Sequence, residues 1–160
     1  MNYKLQFIFL IFLPSLLGLG VNYLNTNSLP LIAKPIEKVS SAEELKSRNT
    51  MVKIHEIDIE MALELYSKKA LFVDARAEEY ISEGFIPGAI FSDDIAILSS
   101  KIDSAIGIDS AFVVYCSDDD CGSSEELAFE LEDLGFTNIL VFSGGWKSWT
   151  ESGYDIQKYE

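Results

Sequence analysis

Two cysteines, Cys116 and Cys121, are the side chains of this sequence best suited to covalent chemistry. Cys116 directly follows an apolar run that predicts a strand buried on both faces, and a helix is predicted to begin at Ser124. Backbone N–H groups and the positive end of a helix dipole stabilise a thiolate in such a position. Cys116 is therefore a candidate nucleophile. The only histidine, His55, lies far from it in sequence, and this chemistry needs no general base.

Cys121 is the fifth residue after Cys116, which is near enough for a disulfide across a bent loop. Since the chain has no other cysteine, the two can be a nucleophile with its resolving thiol, a redox couple or a structural staple. A cysteine at the end of a buried strand can also be no more than a small hydrophobic side chain. The residues alone leave these alternatives open.

Strand and helix patterns alternate along the part of the chain that must position these cysteines. Apolar runs predict strands at residues 52–54, 71–73, 89–91, 112–115 and 138–142, with helices between them. This alternation predicts an α/β fold with a parallel sheet covered by helices on both faces. Sites in such folds lie at the carboxyl ends of the strands, so we expect Asp74, Cys116 and Ser143 to converge at one edge of the sheet.

Two further features are predicted to support that edge. Asp74 and Arg76 have the charge and spacing to form a pair that ties a strand end to the neighbouring loop, with direct contact to a substrate as the alternative. Gly144 and Gly145 are predicted to allow close backbone approach beside the cysteine loop.

Five short motifs occur in a fixed order along residues 52–158. They are DAR at 74–76, GFIPGAI at 84–90, VVYC at 113–116, GFTNI at 135–139 and GGW at 144–146, the last followed by Trp149. In this order they resemble the landmarks of the rhodanese-like domain. The resemblance implies a three-layer fold with a five-stranded parallel sheet flanked by helices. It also implies that Cys116 carries sulfur as a persulfide, as in a sulfurtransferase.

A loop that could cradle this sulfur follows Cys116. Its backbone amides could hold the sulfur and a bound anion, much as a phosphate is held at the start of a helix. Three of its side chains are carboxylates, and each would cost an approaching anion roughly 0.6 kcal/mol at about 7 Å in bulk water. Their consecutive placement lacks the spacing of a metal-binding loop, so neither a metal nor another cofactor is predicted. The cradle comprises Ser117, Asp118, Asp119, Asp120, Cys121, Gly122 and Ser123.

The predicted function is transfer of sulfane sulfur from a donor to a thiol acceptor through a persulfide on Cys116. Because of the acidic loop, a neutral, polysulfide or protein persulfide donor is expected to serve better than thiosulfate. The alternative is a non-catalytic or thiol-redox module in which a Cys116–Cys121 pair helps to bind a partner protein.

The charge of the chain excludes one class of partner. The net charge is −14, and almost all of the excess acid lies in residues 54–160, which carry −17, against +3 in residues 1–53. Such a field repels nucleic-acid phosphates, so nucleic acid is not expected as a partner.

The N-terminal third of the chain is predicted to be a separate part. Residues 5–21 carry no charge and follow Lys4, which favours a signal peptide or membrane anchor over residues 1–24. Residues 25–51 are predicted to be a linker, with a short helix at 42–48 opened by Ser41 and Glu44. Residues 52–160 form the domain, which we expect on the extracytoplasmic side, exported or held at the membrane.

Overall fold

The computed structural model describes residues 3–24, 36–38, 54–118 and 121–158. It divides into two compact units, Met1–Pro35 and Ile36–Glu160. In the first unit, helix α1 (Tyr3–Leu24) covers the predicted leader, with Pro14 inside it. Nowhere in the described residues is there a helix both long and apolar enough to cross a membrane.

Most of the predicted linker, including the helix expected after Ser41, lies outside the described residues. The short part that is described forms a strand, β1 (Glu37–Lys38), at the edge of the sheet. A segment predicted to be only a connection therefore contributes to the domain.

The second unit is built on a parallel sheet with the strand order β1-β2-β5-β4-β3. All neighbouring strands run in the same direction. The four longer strands have four residues each: β2 (Ile54–Ile57), β3 (Leu71–Asp74), β4 (Phe112–Tyr115) and β5 (Ile139–Phe142). The predicted α/β class and helix-flanked parallel sheet are confirmed.

The strand count within residues 52–160 differs from the prediction. Five strands were expected there and the described residues of this range form four, because residues 89–91 contribute only a single bridge between Ile90 and Val73. Pro87 and a turn at Gly88, where φ is 81°, come directly before residues 89–91. Strand β2 continues to Ile57, past the predicted end at residue 54, and residues 52 and 53 lie outside the described residues.

Two hydrophobic cores, one on each face of the sheet, explain why the central strands β4 and β5 carry no charged residue. Successive residues of a strand point to opposite faces, so Val113 and Tyr115 enter one core, whereas Phe112 and Val114 enter the other. Every residue of β4 and β5 is buried. The sheet is therefore the middle of three layers.

Helices form the two outer layers. Their bounds are α2 (Ile59–Ser67), α3 (Glu78–Ile81), α4 (Ile95–Ile106), α5 (Ser123–Asp133) and α6 (Gly145–Glu151). Met61 of α2 and Trp149 of α6 lie in the first core, and Leu98 of α4 and Leu131 of α5 lie in the second.

Polar caps and a glycine fix where these helices begin and end. The Asp58 carboxylate accepts a hydrogen bond of 2.9 Å from the Met61 amide at the start of α2, as its position in the sequence predicts. Asp94 caps α4 in the same way. Gly135 follows α5 with a φ of 101°, a left-handed conformation that glycine adopts readily and that ends the helix.

Candidate functional site

The carboxyl ends of three strands bring the candidate residues to one edge of the sheet. Asp74, Tyr115 and Phe142 are paired in register across β3, β4 and β5. Cys116 and Ser143 therefore leave the sheet side by side, beyond neighbouring strand ends. The predicted convergence is confirmed.

Cys116 and Cys121 are joined by a disulfide. Their Cα atoms are 6.1 Å apart, within the usual range for such a bond. Cys116 is only 2% exposed, whereas Cys121 is partly exposed. The structure is thus that of the oxidised site, in which the sulfur of Cys116 is bonded and is not a free thiolate.

A backbone hydrogen bond connects two described residues of the loop between the cysteines. The Cys121 amide donates to the Asp118 carbonyl at 3.1 Å, so this member of the predicted amide cradle already has an acceptor within the loop. Asp119 and Asp120 lie outside the described residues, and the role of the cradle stays a prediction. Helix α5 begins at Ser123, directly after the loop, and has Glu125 and Glu126 in its first turn.

The first turn of α6 holds the backbone of Cys116 in place. The Trp146 amide donates to the Cys116 carbonyl at 2.8 Å, and the Lys147 amide donates to the Ser117 carbonyl at 2.9 Å. This contact requires glycine at 145, where φ is 55° and an added Cβ would collide with the Cys116 carbonyl. The predicted close approach to the cysteine loop is confirmed at Gly145, whereas a Cβ added at Gly144 would meet Ser148 and Phe142 instead.

The predicted pair of Asp74 and Arg76 is present and almost fully buried, with side chains 0% and 1% exposed. Arg76 Nη2 lies 2.7 Å from Asp74 Oδ2, and Arg76 Nε lies 3.0 Å from Asp74 Oδ1. Arg76 Nη2 also donates to the Gly84 carbonyl at 2.7 Å. The Trp146 ring covers the guanidinium at 4.6 Å, so the pair is enclosed by α6 as well.

Tyr115, the residue before Cys116, completes this network. Its hydroxyl donates to Asp74 Oδ2 at 2.5 Å and accepts from the Ile86 amide at 3.2 Å. The Asp74 carboxylate therefore binds both Arg76 and Tyr115, the last residue of β4. These two side chains in turn contact the loop at residues 84–86.

Burial and charge both act on the ionisable groups of the network. Desolvation raises the pKa of Tyr115 far above its ordinary value, and the negative charge of Asp74 raises it further. Desolvation alone would lower the pKa of Arg76, but its hydrogen bonds and Coulombic attraction to Asp74 outweigh this, so the pKa is raised. Tyr115 thus stays neutral and Arg76 stays charged at physiological pH.

The C-terminal segment closes over the same loop. Gln157 and Phe85 exchange backbone hydrogen bonds of 2.8 and 2.9 Å, and the Gln157 side chain accepts from the Gly88 amide at 3.0 Å. The loop at residues 84–88 is therefore held both by Arg76 and by Gln157.

A cavity of about 290 Å³ lies beside the buried pair. It is lined by residues 74–77, by Ser92 and Asp93, and by Ser123 and Leu127 of α5. Its volume is at the low end of the range for ligand pockets, roughly 300–1,000 Å³. Among the described residues there is no cluster of side chains suited to a metal ion.

Sequence reasoning missed three contributors to this region: the Tyr115 hydroxyl, the Trp146 ring over Arg76, and Gln157. Tyr115 is the last residue of an apolar run, and such a run predicts that its side chain is buried but not that its hydroxyl has a partner. Gln157 has no signal in the sequence, because its role depends on the return of the chain to residue 85.

Comparisons with known proteins agree with this architecture. Residues 58–152 match the family model of the rhodanese-like domain. No curated protein compared with the chain is detectably similar to it in sequence.

Solved structures share the fold at low sequence identity. The BH2092 protein from Bacillus halodurans is 20% identical with a TM-score of 0.56, over 72% of this chain and 82% of that one. The Alr3790 protein from Anabaena sp. is 19% identical with a TM-score of 0.54, over 64% of this chain and 82% of that one.

A thiosulfate sulfurtransferase from Pseudomonas aeruginosa is similar to a comparable extent. It is 18% identical with a TM-score of 0.55, and the match covers 66% of this chain but only 20% of that protein. At this level of identity the likeness concerns the fold. Since the family model matches more than half of the sequence, this chain belongs to the family of rhodanese-like domains.

Proposed function

We propose that the domain is a sulfurtransferase that carries sulfane sulfur as a persulfide on Cys116 once the Cys116–Cys121 disulfide has been reduced. The observation that carries the proposal is the position of Cys116. It follows β4 at the carboxyl edge of the sheet, and its carbonyl is fixed by the Trp146 amide. Family membership supports the same chemistry.

The proposed cycle has two transfers in which the number of S–S bonds is conserved. The Cys116 thiolate attacks the sulfane sulfur of a donor and forms a new S–S bond with it. The bond between that sulfur and the rest of the donor breaks, and the rest leaves with the bonding electron pair, as a thiolate from a persulfide or as sulfite from thiosulfate. An acceptor thiolate then attacks the outer sulfur of the persulfide, and Cys116 leaves as a thiolate. The initial reduction of the disulfide requires an external dithiol, which becomes a disulfide.

The charge around the site favours a particular class of donor. Asp118 lies in the loop, and Glu125 and Glu126 lie in the first turn of α5, where they oppose an anion near the helix start. A neutral organic polysulfide or a protein persulfide therefore suits the site better than the thiosulfate dianion.

The test is persulfide formation on the reduced protein. The full chain would be reduced, freed of reductant, exposed to inorganic polysulfide or thiosulfate, and examined by intact mass. In Cys121→Ser, which lacks the second thiol, we expect a mass increase of one sulfur atom that is absent from Cys116→Ser. Absence of this adduct with every donor, in wild type and in Cys121→Ser alike, would refute the proposal.

The disulfide supports a second candidate, a thiol-redox or partner-binding module that transfers no sulfur. In that case the Cys116–Cys121 bond would resist reduction, or its reduction would change partner binding without any persulfide chemistry. Alkylation of the two cysteines before and after treatment with a dithiol separates the candidates, because a bond that stays closed leaves no nucleophile.

We also propose that the domain works on the extracytoplasmic side. The disulfide supports this location, since such bonds persist mainly in oxidising compartments. Rapid acid quenching of cells followed by alkylation would reveal the native state of the two cysteines. Fully reduced cysteines in growing cells would contradict the proposed location.

A further inference from the structure

We propose that Cys121 is the resolving thiol of the persulfide, so that the site releases its sulfur as hydrosulfide and returns to the disulfide seen in the structure. The inference rests on the proposed function of Cys116 as persulfide carrier, and it assigns the second step of that cycle to Cys121 instead of an external acceptor thiol. It identifies the thiol that acts next and the class of external partner that the cycle requires.

The disulfide itself supplies the geometry for this step. It places the sulfur of Cys121 against the sulfur of Cys116, which would be the inner sulfur of a persulfide. The Cys121 amide donates to the Asp118 carbonyl, which ties Cys121 to the residue two positions after Cys116. The Cys116 carbonyl accepts from the Trp146 amide, which holds the backbone of Cys116 in place. The approach therefore belongs to the folded loop and needs no second molecule.

The reaction is balanced between the two cysteines and the bound sulfur. The Cys121 thiolate attacks the inner sulfur of a Cys116 persulfide that is protonated on its outer sulfur. The Cys116–Cys121 bond forms, and the bond to the outer sulfur breaks. The outer sulfur leaves as hydrosulfide with the bonding electron pair and its proton. The two cysteines lose two electrons and the sulfane sulfur gains them, so no further oxidant is required.

Proximity favours this internal attack over transfer to an external acceptor. Groups joined by a short chain segment react at an effective concentration of millimolar or above, and well-oriented groups exceed that by far. Cys121 is five residues from Cys116. An external thiol at micromolar concentration would therefore compete poorly for the persulfide.

Burial indicates how the site is reset. Cys116 is almost inaccessible in the oxidised form, whereas Cys121 is partly exposed. A dithiol reductant would attack the sulfur of Cys121 and form a mixed disulfide there. Cys116 then leaves as a thiolate, the form needed to accept the next sulfur. The expected external partner is thus a reducing dithiol, small or protein-borne.

The inference is tested by loading the reduced full chain with one equivalent of inorganic polysulfide. Hydrosulfide is trapped with a bimane reagent, and the protein is examined by intact mass. Wild type is expected to release about one hydrosulfide per chain above the Cys116→Ser background and to return to the disulfide mass. Cys121→Ser is expected to keep one extra sulfur and to release hydrosulfide only when a dithiol is added.

A relocated thiol provides the matched control. Ser100→Cys in the Cys121→Ser background again gives two cysteines per chain, but the second now lies on the exposed side of α4. This double variant is expected to keep the extra sulfur. Cys121→Ala serves as a second variant should the serine variant fold poorly. Rescue of hydrosulfide release by Ser100→Cys would overturn the inference, because any thiol would then suffice.

The remaining outcomes distinguish this inference from the proposed function. Retention of the extra sulfur by wild type, without hydrosulfide, would overturn the role of Cys121 while leaving Cys116 as a carrier. Absence of the extra sulfur in both Cys121 variants would overturn the carrier function itself and this inference with it.

Discussion

At the residue scale, the Tyr115 hydroxyl is the point where strand, loop and buried carboxylate meet. Tyr115→Phe removes a hydrogen bond to Asp74 and leaves the Ile86 amide without its acceptor. We expect the free energy of unfolding to fall by about 1–3 kcal/mol, because buried polar groups lose their partners. Urea unfolding would measure this. Tyr80→Phe, at an exposed position, is the control and should stay within about 0.5 kcal/mol of wild type; equal effects would contradict the assignment.

The same hydroxyl predicts a pH dependence. Its pKa in the folded protein is raised above the ordinary value of 10.0, so the folded state holds this proton more tightly than the unfolded state. The resulting stability is fully present below pH 10 and is lost as the pH rises further. The difference in unfolding free energy between wild type and Tyr115→Phe should therefore shrink by up to about 1.4 kcal/mol per pH unit above pH 10. A difference that is constant from pH 8 to 11 would argue against a buried neutral tyrosine.

At the element scale, the contact between α6 and the cysteine loop depends on a missing side chain. Gly145→Ala introduces both a strained φ and a collision with the Cys116 carbonyl, whereas Gly153→Ala introduces a strained φ of 74° alone, in open space. We expect about 1 kcal/mol of destabilisation for Gly153→Ala and a clearly larger loss for Gly145→Ala, with slower disulfide formation. Urea unfolding and timed alkylation would measure both effects. Equal behaviour of the two variants would show that the close approach contributes little.

Reduction of the disulfide tests whether the loop or the cores dominate stability. The bond closes a loop with a sequence separation of five, for which chain entropy predicts about 2 kcal/mol. The two buried cores do not depend on it. The reduced domain should therefore stay folded with a modest loss in urea midpoint, and Cys116→Ser/Cys121→Ser should be insensitive to reductant. Unfolding on reduction would contradict this expectation and would remove the reduced form that the proposed function needs.

Much of the fold follows from patterns within single elements. The apolar runs of β3, β4 and β5 and the cap at Asp58 could be predicted because local burial and local hydrogen bonding determine them. Strand β1 could not be predicted, because two residues are too few to show a periodic pattern and their pairing with β2 depends on tertiary contact. Residues 89–91 are apolar for a related reason: Ala89 and Ile90 pack against the cores, although only Ile90 pairs.

At the scale of the whole molecule, the acidic field should control which donors reach the site. The net charge of −14 repels thiosulfate, and salt shortens the reach of this repulsion to about 10 Å at 0.1 M. We expect the rate constant for persulfide formation with thiosulfate to rise as salt is increased from about 0.02 to 0.15 M. With a neutral organic trisulfide, which releases one thiolate and leaves an alkyl-capped trisulfide on Cys116, the rate constant for adduct formation should stay nearly constant. Stopped-flow or quenched mass measurements would compare the two donors, and an identical salt response would contradict electrostatic control.

The candidate site was predictable in part because parallel strands gather their carboxyl ends. Asp74, Cys116 and Ser143 could be placed together by topology alone. The contacts that connect them to distant parts of the chain could not be placed. Tyr115 to Asp74 spans 41 residues and Gly88 to Gln157 spans 69, and no local pattern encodes a partner at such a distance.

The pairing of Gln157 with Phe85 has a practical consequence for handling the protein. Through this pairing, Gln157 holds the loop whose Gly84 carbonyl accepts from Arg76. It thereby stabilises, through Arg76, the network that contains Tyr115, the neighbour of Cys116. Trimming by a carboxypeptidase past this glutamine would loosen the reactive edge without touching any sulfur. An affinity tag is therefore better placed away from the C-terminus.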